Sequence, residues 1–123
     1  MSKSNNTVTA AVVQTSSVLF DTPATVERAL ALMAQAAQRG AKVLVFPEAF
    51  VGGYPKGADF HIYLGARTPE GRADYKRYFD AAVSVDGPEI AAMAQAAAQW
   101  GMHVCVGVIE RDVGPLSCTA VYV

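Results

Sequence analysis

The 123-residue sequence has few cysteines, few charged residues and no apolar run long enough to cross a bilayer. It has 10 lysines and arginines against 11 aspartates and glutamates, a formal net charge of −1. This excludes the basic field of a nucleic-acid-binding or membrane-surface domain. Two cysteines without a secretory signal exclude a disulfide framework and indicate a cytoplasmic protein with reduced thiols. No G-x-G-x-x-G or G-x-x-x-x-G-K-[ST] sequence occurs, which argues against a nucleotide-binding domain.

Apolar residues, many of them alanine, make up 52% of the sequence, whereas charged residues make up 17%. This composition favours helices packed tightly on a sheet. A chain of this length has the size of about one domain and buries roughly two-thirds of its unfolded surface. We expect residues 1–6 to form a polar N-terminal tail and residues 7–123 to belong to a single domain.

Short apolar runs alternate with longer segments that carry helix-capping signals. Asp21 or Thr22 is predicted as the N-cap of a first helix with Pro23 in its first turn, and Gly40 marks the end of this helix. A strand, a helix and a strand with short links form a right-handed unit in a parallel sheet. The predicted strands are 7–14, 42–46, 103–110 and 116–123, and the predicted helices are about 21–39, 70–83 and 87–101. The buried face of the first helix is predicted at Val26, Leu30, Met33, Ala34 and Ala37.

Two segments do not have the pattern of a complete helix or strand followed by a turn. Residues 51–67 are rich in glycine and proline and predict a long loop, of the kind that usually shapes a site. Residues 118–123 form a strand-like run with no turn residue or polar tail. Because natural termini tend to be polar and an uncovered strand is unfavourable, we expect the chain to be the N-terminal part of a longer protein.

One carboxylate stands where open α/β sheets bind their ligands. Glu48 follows the apolar strand 42–46 and Pro47, and the glycine-rich loop Gly52–Gly57 begins shortly after it. Ligands bind in the crevice beyond the carboxyl ends of the strands in such sheets. Glu48 is therefore the leading candidate for a catalytic carboxylate. The alternative is an exposed side chain that caps the loop.

The other reactive residues have simpler interpretations. Lys56 lies between a proline and a glycine and is predicted to be a loop cation. Cys105 and Cys118 lie in apolar strand patterns, where a free cysteine acts as a small buried hydrophobe rather than a nucleophile. Glu110 also follows a strand, but the adjacent Arg111 favours an ion pair or a capping role.

The histidines and the aromatic stripe are predicted to be structural. His61 and His103 have no partner pattern and are assigned structural or surface roles. Tyr75, Tyr78 and Phe79 share one face of the second helix, which is typical of a core or a subunit interface rather than of a ligand site.

Taken together, the motifs resemble the nitrilase branch of the carbon–nitrogen hydrolase superfamily. They are Phe46–Phe50, Gly52–Gly57, Gly65–Arg72, Gly87–Glu89, Gly107–Asp112 and Leu116–Thr119. They occur in the family's order over essentially the whole chain, and the tyrosine in the glycine loop narrows the match to nitrilases proper. The resemblance implies a four-layer α-β-β-α sandwich, of which this chain would supply about four strands and three helices.

The resemblance also implies a Glu-Lys-Cys catalytic set that hydrolyses a nitrile to a carboxylic acid and ammonia without a cofactor. Glu48 matches the family's glutamate, which acts as the general base. Tyr54 lies among the residues just after that glutamate, which line the substrate pocket in the family. The family's lysine follows the strand that begins at Leu116, and its cysteine comes later, before a Trp-Glu pair. Neither motif occurs in these 123 residues, so the chain alone is expected to be inactive. No metal-ligand spacing is present.

Family members form dimers through helices and build larger spirals, so the resemblance implies a homo-oligomer. Two alternatives stay open. The protein could be an amidase or carbamoylase of the same superfamily. It could also be a non-catalytic assembly half that needs a partner chain for the lysine and the cysteine.

Overall fold

The computed structural model describes residues 6–123, so five of the six predicted tail residues lie outside it, and Asn6 is exposed. The described part contains three helices and one four-stranded sheet. In chain order the elements are β1 (Ala10–Val12), α1 (Thr22–Gln38), β2 (Val43–Val45), α2 (Pro69–Ala81), α3 (Pro88–Trp100), β3 (His103–Arg111) and β4 (Leu116–Tyr122). The predicted α/β class, with four strands and three helices, is confirmed.

The strands lie side by side in the order β1-β2-β3-β4. β1 is parallel to β2 and β2 to β3, whereas β4 is antiparallel to β3. The first two strands have three residues each, fewer than predicted. Their alignment nevertheless continues outside the strands, because the Val13 amide donates to the Val45 carbonyl and the Lys42 amide to the Thr9 carbonyl, both at 2.8 Å.

Helix α1 begins and ends where its capping residues predict. The Asp21 carboxylate accepts a hydrogen bond from the Ala24 amide at 3.0 Å, and Gly40 follows the helix with a positive φ of 80°. The buried face consists of Thr25, Val26, Ala29, Met33 and Ala36. Val26 and Met33 are as predicted, but Leu30, Ala34 and Ala37 are half-buried at its edge. Thr25 takes a central place because its hydroxyl is hydrogen-bonded to the Val18 and Asp21 carbonyls.

The two faces of the sheet have different surroundings. One face packs on α1 and α3 and contributes Val104, Val106 and Val108 of β3 to the main core. Side chains alternate along a strand, so Ile109 points to the opposite face, where Ala49, Tyr78 and Ala82 cover it. Elsewhere that second face is open, as shown by Val12 and Tyr122, each 79% exposed. Among residues 6–123, no helix combines the length and the apolar character needed to cross a membrane.

Candidate functional site

Glu48 lies in a tight turn just beyond the carboxyl end of β2. The rings of Phe46 and Phe50 are buried on either side of the turn, with centroids 5.2 Å apart. Ala49 has a left-handed φ of 50°, and its carbonyl accepts a hydrogen bond from the Gly53 amide at 3.0 Å. The backbone of the turn is therefore fixed, while the Glu48 side chain itself is exposed.

Gly107 of β3 lies directly beneath this turn. A Cβ atom at this position would be 2.5 Å from the Pro47 carbonyl oxygen and 2.6 Å from both the Glu48 Cα and the Ala49 nitrogen. These separations are shorter than any normal contact, so the turn can rest on β3 because residue 107 has no side chain. The sequence places Gly107 within a motif, but it does not show which part of the backbone packs against this glycine.

Cys118 of β4 makes a direct contact with Glu48. Its thiol donates a hydrogen bond to Glu48 Oε1, with sulfur and oxygen 3.3 Å apart. The prediction that Cys118 is buried is wrong, because the side chain is exposed. Cys118 is paired with Ile109, and directly opposed residues of an antiparallel pair point to the same face, here the face away from α1 and α3.

The surroundings of Cys118 keep its thiol protonated. Partial desolvation raises the pKa of the thiol, and the hydrogen bond and negative charge of Glu48 raise that pKa further. A backbone hydrogen bond from Ala49 acts in the opposite direction, and the net pKa lies above the ordinary value. A thiol of this kind is a hydrogen-bond donor rather than an activated nucleophile.

Glu48 and Cys118 open into a cleft of ≈ 820 Å³. Its lining includes three tyrosines and one cation besides this pair: Tyr54, Lys56, Tyr75 and Tyr78. Tyr54 is 59% exposed at the cleft. Lys56 is exposed, as expected of a loop cation, but the fold brings it to the same cleft as Glu48, which its sequence position does not indicate.

The aromatic stripe of α2 serves both packing and the cleft. Tyr78 is buried, and Tyr75 and Tyr78 both pack on the ring of Phe60, with centroid distances of 5.6 and 5.7 Å. Tyr78 therefore has the predicted core position, whereas Tyr75 is 43% exposed, and both line the cleft that holds Glu48, where the sequence does not predict them. Burial raises the pKa of Tyr78 above its ordinary value, so the hydroxyl stays protonated.

The second acidic candidate lies outside this cleft. Glu110 accepts a hydrogen bond from the Thr119 hydroxyl at 2.7 Å. Arg111 donates to the Phe79 carbonyl at 3.2 Å and lies over the Phe79 ring. Of the two predicted roles, an ion pair is absent among residues 6–123, whose two salt bridges involve other side chains, whereas the bond from Arg111 to a carbonyl in the last turn of α2 fits the capping role. Both residues hold α2, β3 and β4 together.

The remaining candidates have surface or structural positions. His61 forms a half-exposed pair with Asp74, at 3.3 Å, and His103 is exposed. Cys105 is partly buried on β3. A second cleft, of ≈ 900 Å³, lies against the loop from Phe60 to Thr68 and has no carboxylate in its lining. In the described part of the chain, no group of three histidine, cysteine or acidic side chains could hold a metal ion.

Comparison with known proteins finds one matching family and several similar sequences. The carbon–nitrogen hydrolase family matches residues 9–123. An aliphatic nitrilase from Sinorhizobium fredii is 55% identical over 113 residues, which are 92% of this chain and 37% of the relative. A bifunctional nitrilase/nitrile hydratase from Lupinus angustifolius is 47% identical over 116 residues, which are 94% of this chain and 33% of the relative. The chain therefore spans about a third of the length of these curated relatives.

Two solved structures share the fold. A CN-hydrolase superfamily protein from Xanthomonas campestris superimposes with a TM-score of 0.59 at 20% identity, covering 90% of this chain and 38% of its own. A glutamine-dependent NAD(+) synthetase from Cytophaga hutchinsonii gives a TM-score of 0.54 at 17% identity, covering 91% of this chain and 16% of its own. At these identities the likeness establishes the fold alone.

Proposed function

The chain belongs to the carbon–nitrogen hydrolase family, and from this premise we propose that the protein it forms is a nitrilase-type hydrolase. The reaction converts a nitrile and two molecules of water into a carboxylic acid and ammonia. The observation that carries the proposal is the exposed Glu48 carboxylate, held on a fixed turn at the cleft. The 55% identity to an aliphatic nitrilase supports a nitrile as the substrate.

In this proposal Glu48 is the general base. It takes the proton of a cysteine thiol as the sulfur attacks the nitrile carbon, and the proton passes to the nitrogen, giving a thioimidate. Water then adds, ammonia leaves and a thioester forms. A second water, activated by the same carboxylate, releases the acid and restores the thiol.

The nucleophilic thiol and the cation beside it come from outside residues 1–123 in this account. The family's lysine and cysteine motifs are absent from these residues, and a lysine is needed where negative charge develops on nitrogen or oxygen. Cys118 is unsuited to the nucleophile's role, because its thiol pKa is raised rather than lowered. We therefore propose that residues 7–123 alone do not turn over a nitrile and form the N-terminal part of a single catalytic domain.

Tyr54 is proposed to contact the substrate. Its side chain lies at the cleft that holds Glu48 and keeps 59% of its surface exposed. A ring in this position offers an apolar face to the non-reacting part of a nitrile. Together with the buried Tyr78, it gives the cleft an aromatic wall.

Ammonia release from paired substrates tests the reaction class. The complete protein is assayed with aliphatic and aromatic nitriles and with the amides of the same acids, beside residues 1–123 alone. We expect ammonia from the nitriles, little from the amides and none from the isolated chain. Preference for the amides would assign the protein to the amidases or carbamoylases of the family. Turnover by the isolated chain would show that its own residues complete the catalytic set.

We also propose that the protein acts in the cytoplasm as a homo-oligomer built from dimers that extend into spirals and that it needs no cofactor. The support for these proposals is family membership and the residue composition. Light scattering and electron microscopy of the complete protein test the assembly, and full activity after dialysis against a chelator tests the absence of a metal.

A further inference from the structure

We infer that Cys118 is a positioning residue for Glu48, holding the carboxylate in the orientation that proton transfer requires. The inference rests on the proposed function of Glu48 as general base. The contact that supports it is the hydrogen bond from the Cys118 thiol to Glu48 Oε1, with sulfur and oxygen 3.3 Å apart.

The position of Cys118 in the sheet suits it to this role. β4 pairs with β3 through seven successive residue pairs, from Cys105 with Tyr122 to Arg111 with Leu116. Cys118 lies within this ladder, so its backbone is fixed relative to β3. The Glu48 turn rests on Gly107 of the same strand. Donor and acceptor are thus both anchored to β3.

Glu48 needs such a partner because its own side chain is exposed. A long exposed side chain samples several rotamers, and fixing it costs conformational entropy. In the described part of the chain, Oε1 is the carboxylate oxygen that accepts a side-chain hydrogen bond, and Oε2 accepts none. The thiol therefore orients the group through one oxygen and leaves the other to receive the proton.

The protonation state of Cys118 agrees with a donor role. Because the pKa of this thiol lies above its ordinary value, the sulfur keeps its proton at neutral pH. An ionised thiolate beside Glu48 would repel the carboxylate instead. A cysteine that acts as a nucleophile beside its activating base is expected to have a lowered thiol pKa. The raised pKa therefore argues against Cys118 as a nucleophile that Glu48 activates.

Steady-state kinetics of the complete protein with a nitrile substrate test the inference. The variants are Cys118→Ala and Cys118→Val, which remove the donor, and Cys118→Ser, which keeps one. Cys105→Ala is the matched control, since Cys105 lies on the adjacent strand and its thiol makes no hydrogen bond to Glu48 within residues 6–123. Glu48→Gln is measured beside them, and thermal unfolding of each variant confirms that it is folded.

We expect kcat to fall about tenfold in both donor-free variants with little change in KM, as for an interaction that matters mainly in the transition state. Cys118→Ser should recover much of the loss, and Cys105→Ala should match the parent protein. Unchanged kcat in a folded Cys118→Ala or Cys118→Val protein overturns the inference, as does a Cys118→Ser protein no better than either. An active Glu48→Gln protein would instead overturn the proposed function, so the two failures are distinguishable.

Discussion

At the scale of single residues, the site is built from groups that hold one carboxylate in place. Glu48 is a candidate already in the sequence, because it follows an apolar strand and lies in one of the motifs that resemble the family. Gly107 and Cys118 cannot be identified in the same way, since both act through contacts with residues at least 58 positions away in the chain. Their roles depend on the pairing register of β3 and β4, which follows from the fold and not from a motif.

Replacing Gly107 with alanine should impair the site by steric overlap alone. The new Cβ would lie 2.5 Å from the Pro47 carbonyl oxygen, so the Glu48 turn must shift. We expect a destabilisation of about 1–3 kcal/mol and a loss of kcat of roughly a hundredfold. Gly114→Ala is the control, because no atom lies within 4 Å of a Cβ built there. Equal kcat and equal urea midpoints for the two variants would refute the close approach.

The rate at which Cys118 is alkylated should depend on Glu48. The carboxylate is one cause of the raised thiol pKa, so Glu48→Gln should lower that pKa towards its ordinary value. The thiolate fraction near pH 8 then increases, and iodoacetamide should label the Cys118 peptide faster in Glu48→Gln than in the parent protein, with mass spectrometry as the readout. The two rates should converge at a pH above both pKa values. Slower labelling in Glu48→Gln at pH 8 would contradict the assigned cause.

At the scale of elements, the capping signals predict the bounds of α1 well, because the interactions that start a helix are local. The Asp21 carboxylate accepts from the Ala24 amide as expected, and Asp21→Ala should therefore destabilise the fold by about 1 kcal/mol. Urea unfolding of the complete protein measures the change. Asp21→Ser, which keeps a capping oxygen, should unfold close to the parent midpoint, and an Asp21→Ala midpoint equal to it would show that the cap is unimportant.

Strands are harder to predict from the sequence than helices, because their ends and the direction of their side chains depend on neighbouring strands. β1 and β2 have three residues each, and the apolar runs that predict them do not mark where the strands end. In β4, the sequence LSCTAVYV has no clear alternation of apolar and polar residues. The sequence therefore does not show which side chains face the helices, and Cys118 is predicted to be buried although it is exposed.

At the scale of the whole molecule, the described residues supply one sheet, with α1 and α3 on one face and the candidate site on the other face, beside α2. The architecture can be predicted from the sequence through the family resemblance, because the motifs that carry the resemblance extend along the chain. Val12 and Tyr122 leave apolar surface exposed on the open face, consistent with a chain that spans about a third of its curated relatives. In the proposed function, the complete catalytic set belongs to the larger protein, and Glu48 is the part of it that this chain contributes.

The most direct test of this account is the rate of ammonia release from a nitrile by the complete protein with Glu48→Gln. Glu27→Gln, an exposed change on α1, provides the matched control. General acid–base groups contribute about a hundredfold to ten-thousandfold, so we predict a loss of at least about a hundredfold in kcat for Glu48→Gln and none for Glu27→Gln. A folded Glu48→Gln protein that hydrolyses the nitrile at the parent rate would contradict the central claim.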